Sequence, residues 1–299
     1  MADGPILVTG ATGFIGGRLT RRLVSAGLPV RAMARRADAA VAPGAELVVG
    51  DLTDRDSLLR ACDGASAVIS AAAITGDKKE PPGGYDLVNA DGIAALAAAA
   101  KAGGAGRIVH FGGIDNGGST PGPYLAGRRR GEDGLKAAGI PWTILQPSVQ
   151  FGPASPFMAA MAGLVRGPVT PVAGNGRTRI QMIHVDDVCR AAQECLDGDA
   201  RLGRAIELGG PEALEYDAIL EVIGRALGKG KVRKVHAPMA IVKLQAKLLQ
   251  VLPNPPVTPA AVELLERDNV AASLDVVERE FGFAPVRFAE HVASHGLEL

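Results

Sequence analysis

The first 150 residues switch between two spacings of apolar positions. Short, nearly continuous apolar runs stand at Pro5–Thr9, Val30–Ala34, Glu46–Val49, Ala67–Ala71, Arg107–Phe111 and Trp142–Leu145. Runs this short, bounded by turn residues, read as strands buried on both faces. Between them the apolar residues take helical spacing. Phe14–Ala26 carries Ile15, Leu19, Leu23 and Val24 on one stripe and stops at Gly27, a residue suited to closing a helix. Asp54–Cys62, the alanine-rich Asp86–Ala102, and Tyr124–Ala138 before Gly139 follow the same pattern. Such alternation predicts βαβ units, and so an α/β fold with a doubly wound, Rossmann-like parallel sheet.

After Pro147 the alternation loosens. Helices are expected at Phe157–Val165, Val185–Leu196, Ala218–Leu227, Ala237–Leu252, Thr258–Arg267 and Asp275–Phe281. Strands are expected at Ala205–Leu208 and Val232–His236, and Pro253-Asn254-Pro255-Pro256 breaks the chain. The expected division is a first domain over residues 1–150 and a smaller C-terminal lobe over 151–299, interleaved with the end of the sheet.

Composition narrows the class. Apolar residues make up 47% of 299, which excludes a disordered chain and supports a large core. The 32 basic residues balance 32 acidic ones, which argues against a generic nucleic-acid binder. Cys62, Cys189 and Cys195 are scattered, as reduced thiols of a cytoplasmic protein are. The start of the chain shows no secretion signal, and no apolar run approaches the ~20 residues of a membrane span. A cytoplasmic protein is expected, at its furthest peripheral to the inner face of the membrane. No Cys/His cluster and no serine nucleophile elbow stand out, so neither a metal nor hydrolase chemistry is expected.

Between the first expected strand and helix, Gly10, Gly13 and Gly16 form G-x-x-G-x-x-G, with Thr12, Phe14 and Ile15 among them. In that context Gly10 permits the tight turn, Gly13 lets a pyrophosphate approach, and Gly16 lets the helix pack on the strand. Amides at the helix start then face phosphates. The segment 1–150 is therefore expected to bind NAD(P). An NAD site carries an acid about 20 residues beyond the glycines. Ala34 stands there instead, followed by Arg35 and Arg36. Guanidinium groups suit a 2′-phosphate, so NADP(H) is expected over NAD(H); the competing reading is a solvated arginine pair. Asp51, next to Leu52, is a candidate for the adenine amino group or a turn cap. Ala71 and Ala72 leave room for the dinucleotide to pass.

With these segments in place, the chain resembles the extended and atypical branches of the short-chain dehydrogenase/reductase superfamily. The resemblance rests on TGATGFIGG, GDLTD, YLAGRRRGE, WTILQPSVQFGP and MIHVDDV, in the family's order. The C-terminal PNPPVTPAAVELLERDNVA segment is similar to the NADPH-binding accessory subunit of respiratory complex I and its bacterial relatives.

The resemblance implies a catalytic Ser, a Tyr and a Lys four residues after the Tyr. Tyr124 matches the Tyr, with a packed or surface tyrosine as its bland alternative. Arg128 stands in place of the Lys, and Phe111-Gly112-Gly113 in place of the Ser. Ser119 and Thr120 follow in the loop and could substitute. A fixed positive charge one turn from a phenol favours its ionised form. Pro147, after Gln146, falls where relatives line the nicotinamide. His184-Val185-Asp186-Asp187 reads as structural, with Asp186 or Asp187 capping the next helix.

No acid lies between Glu221 and Glu263, where seven bases do: Arg225, Lys229, Lys231, Arg233, Lys234, Lys243 and Lys247. The basic, amphipathic Ala237–Leu252 suits an ordinary core-facing helix, or a membrane or partner contact. The run Arg128-Arg129-Arg130 would load with charge a helix that relatives use to dimerise, so a monomer is expected. Two functions follow. One is an NADPH-dependent oxidoreductase or epimerase-like enzyme with a degraded Ser-Tyr-Lys site, acting on an unidentified small molecule. The other is a non-catalytic NADPH-binding subunit or redox-sensing scaffold of a membrane-associated complex.

Overall fold

The computed structural model describes residues 4–115, 121–253, 255 and 257–299. Six strands and the helices between them build the first half. They are β1 (Ile6–Thr9), α1 (Phe14–Ser25), β2 (Val30–Ala34), β3 (Glu46–Val49), α2 (Arg55–Cys62), β4 (Ala67–Ser70), α3 (Ile93–Ala102), β5 (Ile108–Phe111), α4 (Pro123–Ala137) and β6 (Trp142–Pro147). The second half adds β7 (Gln150–Phe151), α5 (Pro156–Arg166), β8 (Thr170–Ala173), β9 (Arg179–Ile180), β10 (Ile183–His184) and α6 (Val185–Glu194). Then come β11 (Arg204–Leu208), β12 (Leu214–Glu215), α7 (Tyr216–Ala226), β13 (Lys234–Ala237), α8 (Met239–Leu249), α9 (Pro259–Leu265), α10 (Val276–Phe281) and α11 (Phe288–His295).

The main sheet has seven parallel strands in the order β11-β6-β5-β4-β1-β2-β3. The order reverses between β1 and β4, and ligands of such sheets bind at that switch point. Ile6, Val8, Ile69 and Val109 face a core built with Leu19 and Leu23 of α1, Val188 and Ala192 of α6, and Val277 and Phe281 of α10. Leu7, Val68, Ile108 and Ile144 face the other way, onto Leu58 of α2, Leu96 and Ala100 of α3, and Leu135 of α4. Both faces are covered, which is why these strands read as unbroken apolar runs. β7, β8 and β9 pair with β10, β13 and β12 respectively. α5, α7 and α11 close a third core around Phe151 and Phe288.

Three local expectations change. The long helix Asp86–Ala102 is instead a π-helical turn at Leu87–Gly92 running into α3. The wider turn carries Asn89, whose amide bonds both Ile74 N and Ile74 O at 2.8 Å and so pins the loop after β4. Second, His184 caps α6, because its Nδ1 accepts from Asp186 N at 3.2 Å. Asp186 pairs with Arg18 at 3.0 Å, and Asp187 accepts from Val286 N at 2.8 Å, so both carboxylates tie neighbouring elements together. Third, the α4 arginines do not form a loose charged face. Arg129 pairs with Asp115, and Arg130 with Asp86. That removes the charge argument on which the monomer expectation rested. The three cysteines are buried, and burial pushes their thiols up to about 11 for Cys62 and about 12 for Cys189 and Cys195, which makes them poor nucleophiles.

Candidate active site

The glycine turn is built by close contacts that a side chain would destroy. Gly10 has φ +64°, and a Cβ there would lie 2.8 Å from Ala71 O and Ala72 N. A Cβ at Gly16 would lie 2.2 Å from Gly10 O, so α1 packs directly on the turn. A Cβ at Gly13 would meet only Gly10 O, at 3.1 Å, and its outer side is open. Gly13 is also the N-cap of α1, which has no side-chain cap and no acid in its first turn. Side-chain caps are present on α2, α5, α6 and α9, from Asp54, Ser155, His184 and Thr258, and are lacking on α3, α4, α7, α8, α10 and α11 as on α1. The first amides of α1, including those of Phe14 and Ile15, are thus left to an external acceptor, which suits a phosphate. Thr12 is exposed beside them.

Around this turn the structure collects most of the expected residues. Ala71 and Ala72 abut Gly10, but both their amides donate to Thr9 Oγ1 at 3.2 Å. These alanines therefore offer space rather than donors. Ala11 N reaches Met33 O at 3.4 Å, which sets the end of β2 beside the turn. Arg35 and Arg36 follow that end and are exposed, with Arg36 paired to Asp38 at 3.1 Å. Asp51 Oδ1 accepts from Thr53 N and Thr53 Oγ1 at 2.9 and 2.8 Å, the turn-cap role. Leu52 is buried against Gly92.

Tyr124 and Arg128 lie one turn apart at the start of α4. Tyr124 meets Tyr85 edge-on, with ring centroids 5.3 Å apart. Among the described residues its hydroxyl has no hydrogen-bond partner. The Arg128 guanidinium carbon lies 5.6 Å from the Tyr124 ring centroid, and its Nη2 donates to Gly113 O at 2.5 Å. Tyr124 lines a cavity of about 530 Å³ between the loop after β4, the start of α4, α8 and α9. Lys79, Glu80, Lys243, Lys247 and Glu263 also line it. Lys243 pairs with Glu266 at 2.6 Å.

The structure accounts for the departures from the Ser-Tyr-Lys pattern. A Cβ at Gly112 would fall 2.3 Å from Glu132 Oε1, and one at Gly113 would fall 2.7 Å from Arg128 Nη2. The glycines and the larger Arg128 are therefore one packing solution. Gln146 is spent on the same cluster, since its amide donates to both Glu132 oxygens at 3.2 and 3.0 Å. Burial raises the Glu132 carboxyl above its ordinary range. Pro147 ends β6, and its carbonyl accepts from Ile114 N at 3.4 Å. Ser119 and Thr120 lie outside the described residues. We expect Gly113→Ser to cost at most about 1 kcal/mol, because the close atoms are the end of the flexible Arg128 side chain, which can swing aside. The shorter Arg128→Lys in the same chain should restore most of that. Urea unfolding of the three variants checks this; equal losses in the single and double variants would exclude the coupling.

Sequence reading missed several residues here. His110 is buried on β5 with Nδ1 3.1 Å from Ser70 Oγ. Burial, reinforced by the nearby Arg128 charge, pushes its imidazole down to about 3. It passed unnoticed because a lone histidine inside an apolar run carries no spacing signal. His291 and His295 were missed with α11, although they stand four apart in the sequence. Side-chain atoms of His184, His291 and Glu298 lie within 4.8 Å of one another, and His184 Nε2 is buried with no hydrogen-bond partner among the described residues. The cap bond to His184 Nδ1 leaves the ring hydrogen on Nε2 when the imidazole is neutral. The cluster therefore presents a hydrogen, not a lone pair, at its buried corner.

A family profile described as NAD(P)H-binding matches residues 10–152. The chain is 30% identical to a (4-alkanoyl-5-oxo-2,5-dihydrofuran-3-yl)methyl phosphate reductase of Streptomyces griseus, over 97% of both chains. It is 29% identical to an NAD(P)H azoreductase of Xenophilus azovorans, again over 97% of both. Its fold matches that of a short-chain dehydrogenase/reductase superfamily protein from Agrobacterium tumefaciens with bound NAD, at TM-score 0.73 and 21% identity, over 98% of this chain and 95% of that one. The uncapped glycine turn at the switch point agrees with the NAD(P)H-binding description of that profile. The chain belongs to the NAD(P)H-binding, Rossmann-type family, and it shares its fold with a solved short-chain dehydrogenase/reductase superfamily protein.

Proposed function

We propose that the protein is an NADP(H)-dependent reductase of small carbonyl compounds, with Tyr124 as the proton donor. What supports this reading is Tyr124, which lines the cavity and whose hydroxyl has no hydrogen-bond partner among the described residues. The residues present fit the cofactor. Gly10, Gly13 and Gly16 with the α1 amides would hold the pyrophosphate, and Arg35 and Arg36 the 2′-phosphate. Asp51 would approach the adenine through the oxygen not used by Thr53, and Pro147 would border the nicotinamide. When bound, NADPH supplies a hydride. The chain supplies the proton, which passes from Tyr124 Oη to the substrate oxygen that gains charge. Arg128 stays protonated, so it can hold that oxygen's environment positive but cannot relay a proton. The cavity sets Lys79, Lys243 and Lys247 against Glu80, Glu263 and Glu266 among apolar edges, which suits a polar group joined to an apolar body. The similar Streptomyces enzyme is named for an alkanoyl-bearing phosphate.

The experiment is hydride transfer from 4-deuterated NADPH to a panel of ketones and enones, read by deuterium in the product. A second reading has a specific support. Glu132 crowds the place of the family's serine, which favours an NADPH-binding subunit or scaffold without turnover. NADPH binding with no deuterium transfer to any of the panel would favour it. Arg35→Ala and Arg36→Ala together should weaken NADPH binding about tenfold to a hundredfold, as loss of charge-assisted bonds does, and leave NADH binding unchanged. Equal loss for both cofactors would remove the 2′-phosphate assignment.

A further inference from the structure

α4, which carries Tyr124 and Arg128, begins without a cap of its own. Its N-cap is Gly122, which has no side chain to turn back on the helix, and Pro123 follows at the first helical position. In a capping box the N-cap amide is taken by an acid three residues further on. That position here holds Leu125. The amide is met instead from a distant part of the chain, 141 residues on, where Glu263 Oε1 accepts from Gly122 N at 2.5 Å. The carboxylate lies directly against the glycine: a Cβ at Gly122 would fall 2.5 Å from Oε2 and 3.0 Å from Oε1. A side-chain cap at residue 122 and this carboxylate therefore exclude each other. The helix dipole favours a negative charge at that end.

α9, which carries Glu263, also holds the Tyr124 ring. Ala260 and Leu264 pack with Tyr124, Tyr85 and Leu125 in one small apolar cluster. Gly76 stands against three of them, because a Cβ there would meet Leu264 Cδ1, Tyr124 Cε1 and Ala260 Cβ at 3.2, 3.3 and 3.4 Å. Thr258 ties the start of α9 to this point by donating to Gly76 O. We infer that Glu263 is a positioning residue for Tyr124: it fixes the first turn of α4 and so aims the Tyr124 hydroxyl into the cavity that both residues line. The inference rests on the reading of Tyr124 as the proton donor. Tyr124 is the second residue of α4, so a shift of the first turn moves its Cα directly. A misplacement of about 1 Å can cost about a hundredfold in rate.

The test compares Glu263→Ala with Glu263→Gln in the full chain. Glutamine keeps an oxygen for Gly122 N, and alanine does not. Glu263→Leu, closer in size, serves for the same comparison if alanine loosens the fold. The first readout needs no turnover. The chain has three tyrosines, Tyr85, Tyr124 and Tyr216, so ring-labelled tyrosine resolves Tyr124 by nuclear magnetic resonance, with Tyr124→Phe as the assignment. The Tyr124 resonance should move in Glu263→Ala and return to its wild-type position in Glu263→Gln. Tyr216, in the separate core around Phe151, should stay in place throughout and so report that the fold is kept. The second readout is hydride transfer from 4-deuterated NADPH. In Glu263→Ala kcat should fall about tenfold to a hundredfold with KM within about threefold of wild type, and Glu263→Gln should recover most of the loss. A Tyr124 resonance that stays in place in Glu263→Ala, or moves as far in Glu263→Gln, would overturn the positioning role. So would a raised KM at unchanged kcat, which would make Glu263 a substrate contact. Wild type that transfers no deuterium would remove the proton-donor reading of Tyr124, and the resonances alone would then decide whether Glu263 places its ring.

Discussion

Tyr124→Phe is expected to lower NADPH-dependent carbonyl reduction by about 10²–10⁴-fold, the range of a lost general acid, while leaving NADPH affinity unchanged. The other hydroxyls of the cavity cannot replace it. Tyr85 donates to Lys78 O at 3.2 Å, and burial, with nearby acids adding, pushes its phenol up to about 12. Thr258 donates to Gly76 O while capping α9. Phenylalanine keeps the ring against Tyr85 and Arg128, so the loss should appear in turnover and not in stability. A loss of less than about tenfold would mean that the proton comes from elsewhere, with water the first candidate.

The second large effect is on stability in acid. His110 is fully buried as the neutral ring, and its folded value of about 3 lies below the reference of 6.5. The unfolded chain therefore binds a proton in a window where the folded chain does not. Stability from this group is fully present above pH 6.5 and is lost as pH falls toward 3, at about 1.4 kcal/mol per unit and about 5 kcal/mol at most. His110→Asn keeps a partner for Ser70 Oγ and removes the titration. Urea unfolding at stepped pH should show the wild type losing stability relative to the variant across that window. Parallel curves would mean that the ring is charged in the fold or reaches water.

The sheet was legible because its strands are buried on both sides. Burial on two faces turns each strand into an unbroken apolar run, and Gly27 and Gly139 mark where α1 and α4 stop. The cofactor turn was legible because glycine is demanded by local geometry: φ +64° at Gly10 and the Gly16 contact with Gly10 O both arise within a few residues of sequence. That Arg35 and Arg36 follow the end of β2 was legible too, since their position depends only on the length of that strand.

Tertiary structure decided what distance in sequence conceals. Gly112 and Gly113 read as a missing serine, and only packing shows that Glu132 and Arg128 take up that space. Asp186 and Asp187 have the composition of a cap, yet the adjacent His184 reaches the amide first. Asn89 gave no signal until the π-helical turn set it across from Ile74, and His110 none until the sheet buried it beside Ser70. Ala237–Leu252 showed one apolar face in its periodicity; that it has a second, pointing away from the protein, follows from how little of α8 the fold covers. Local backbone demands and two-sided burial write themselves into a sequence, because each residue answers to its near neighbours. The chemistry of the pocket does not, because each of its groups takes its properties from side chains brought in from other elements of the fold.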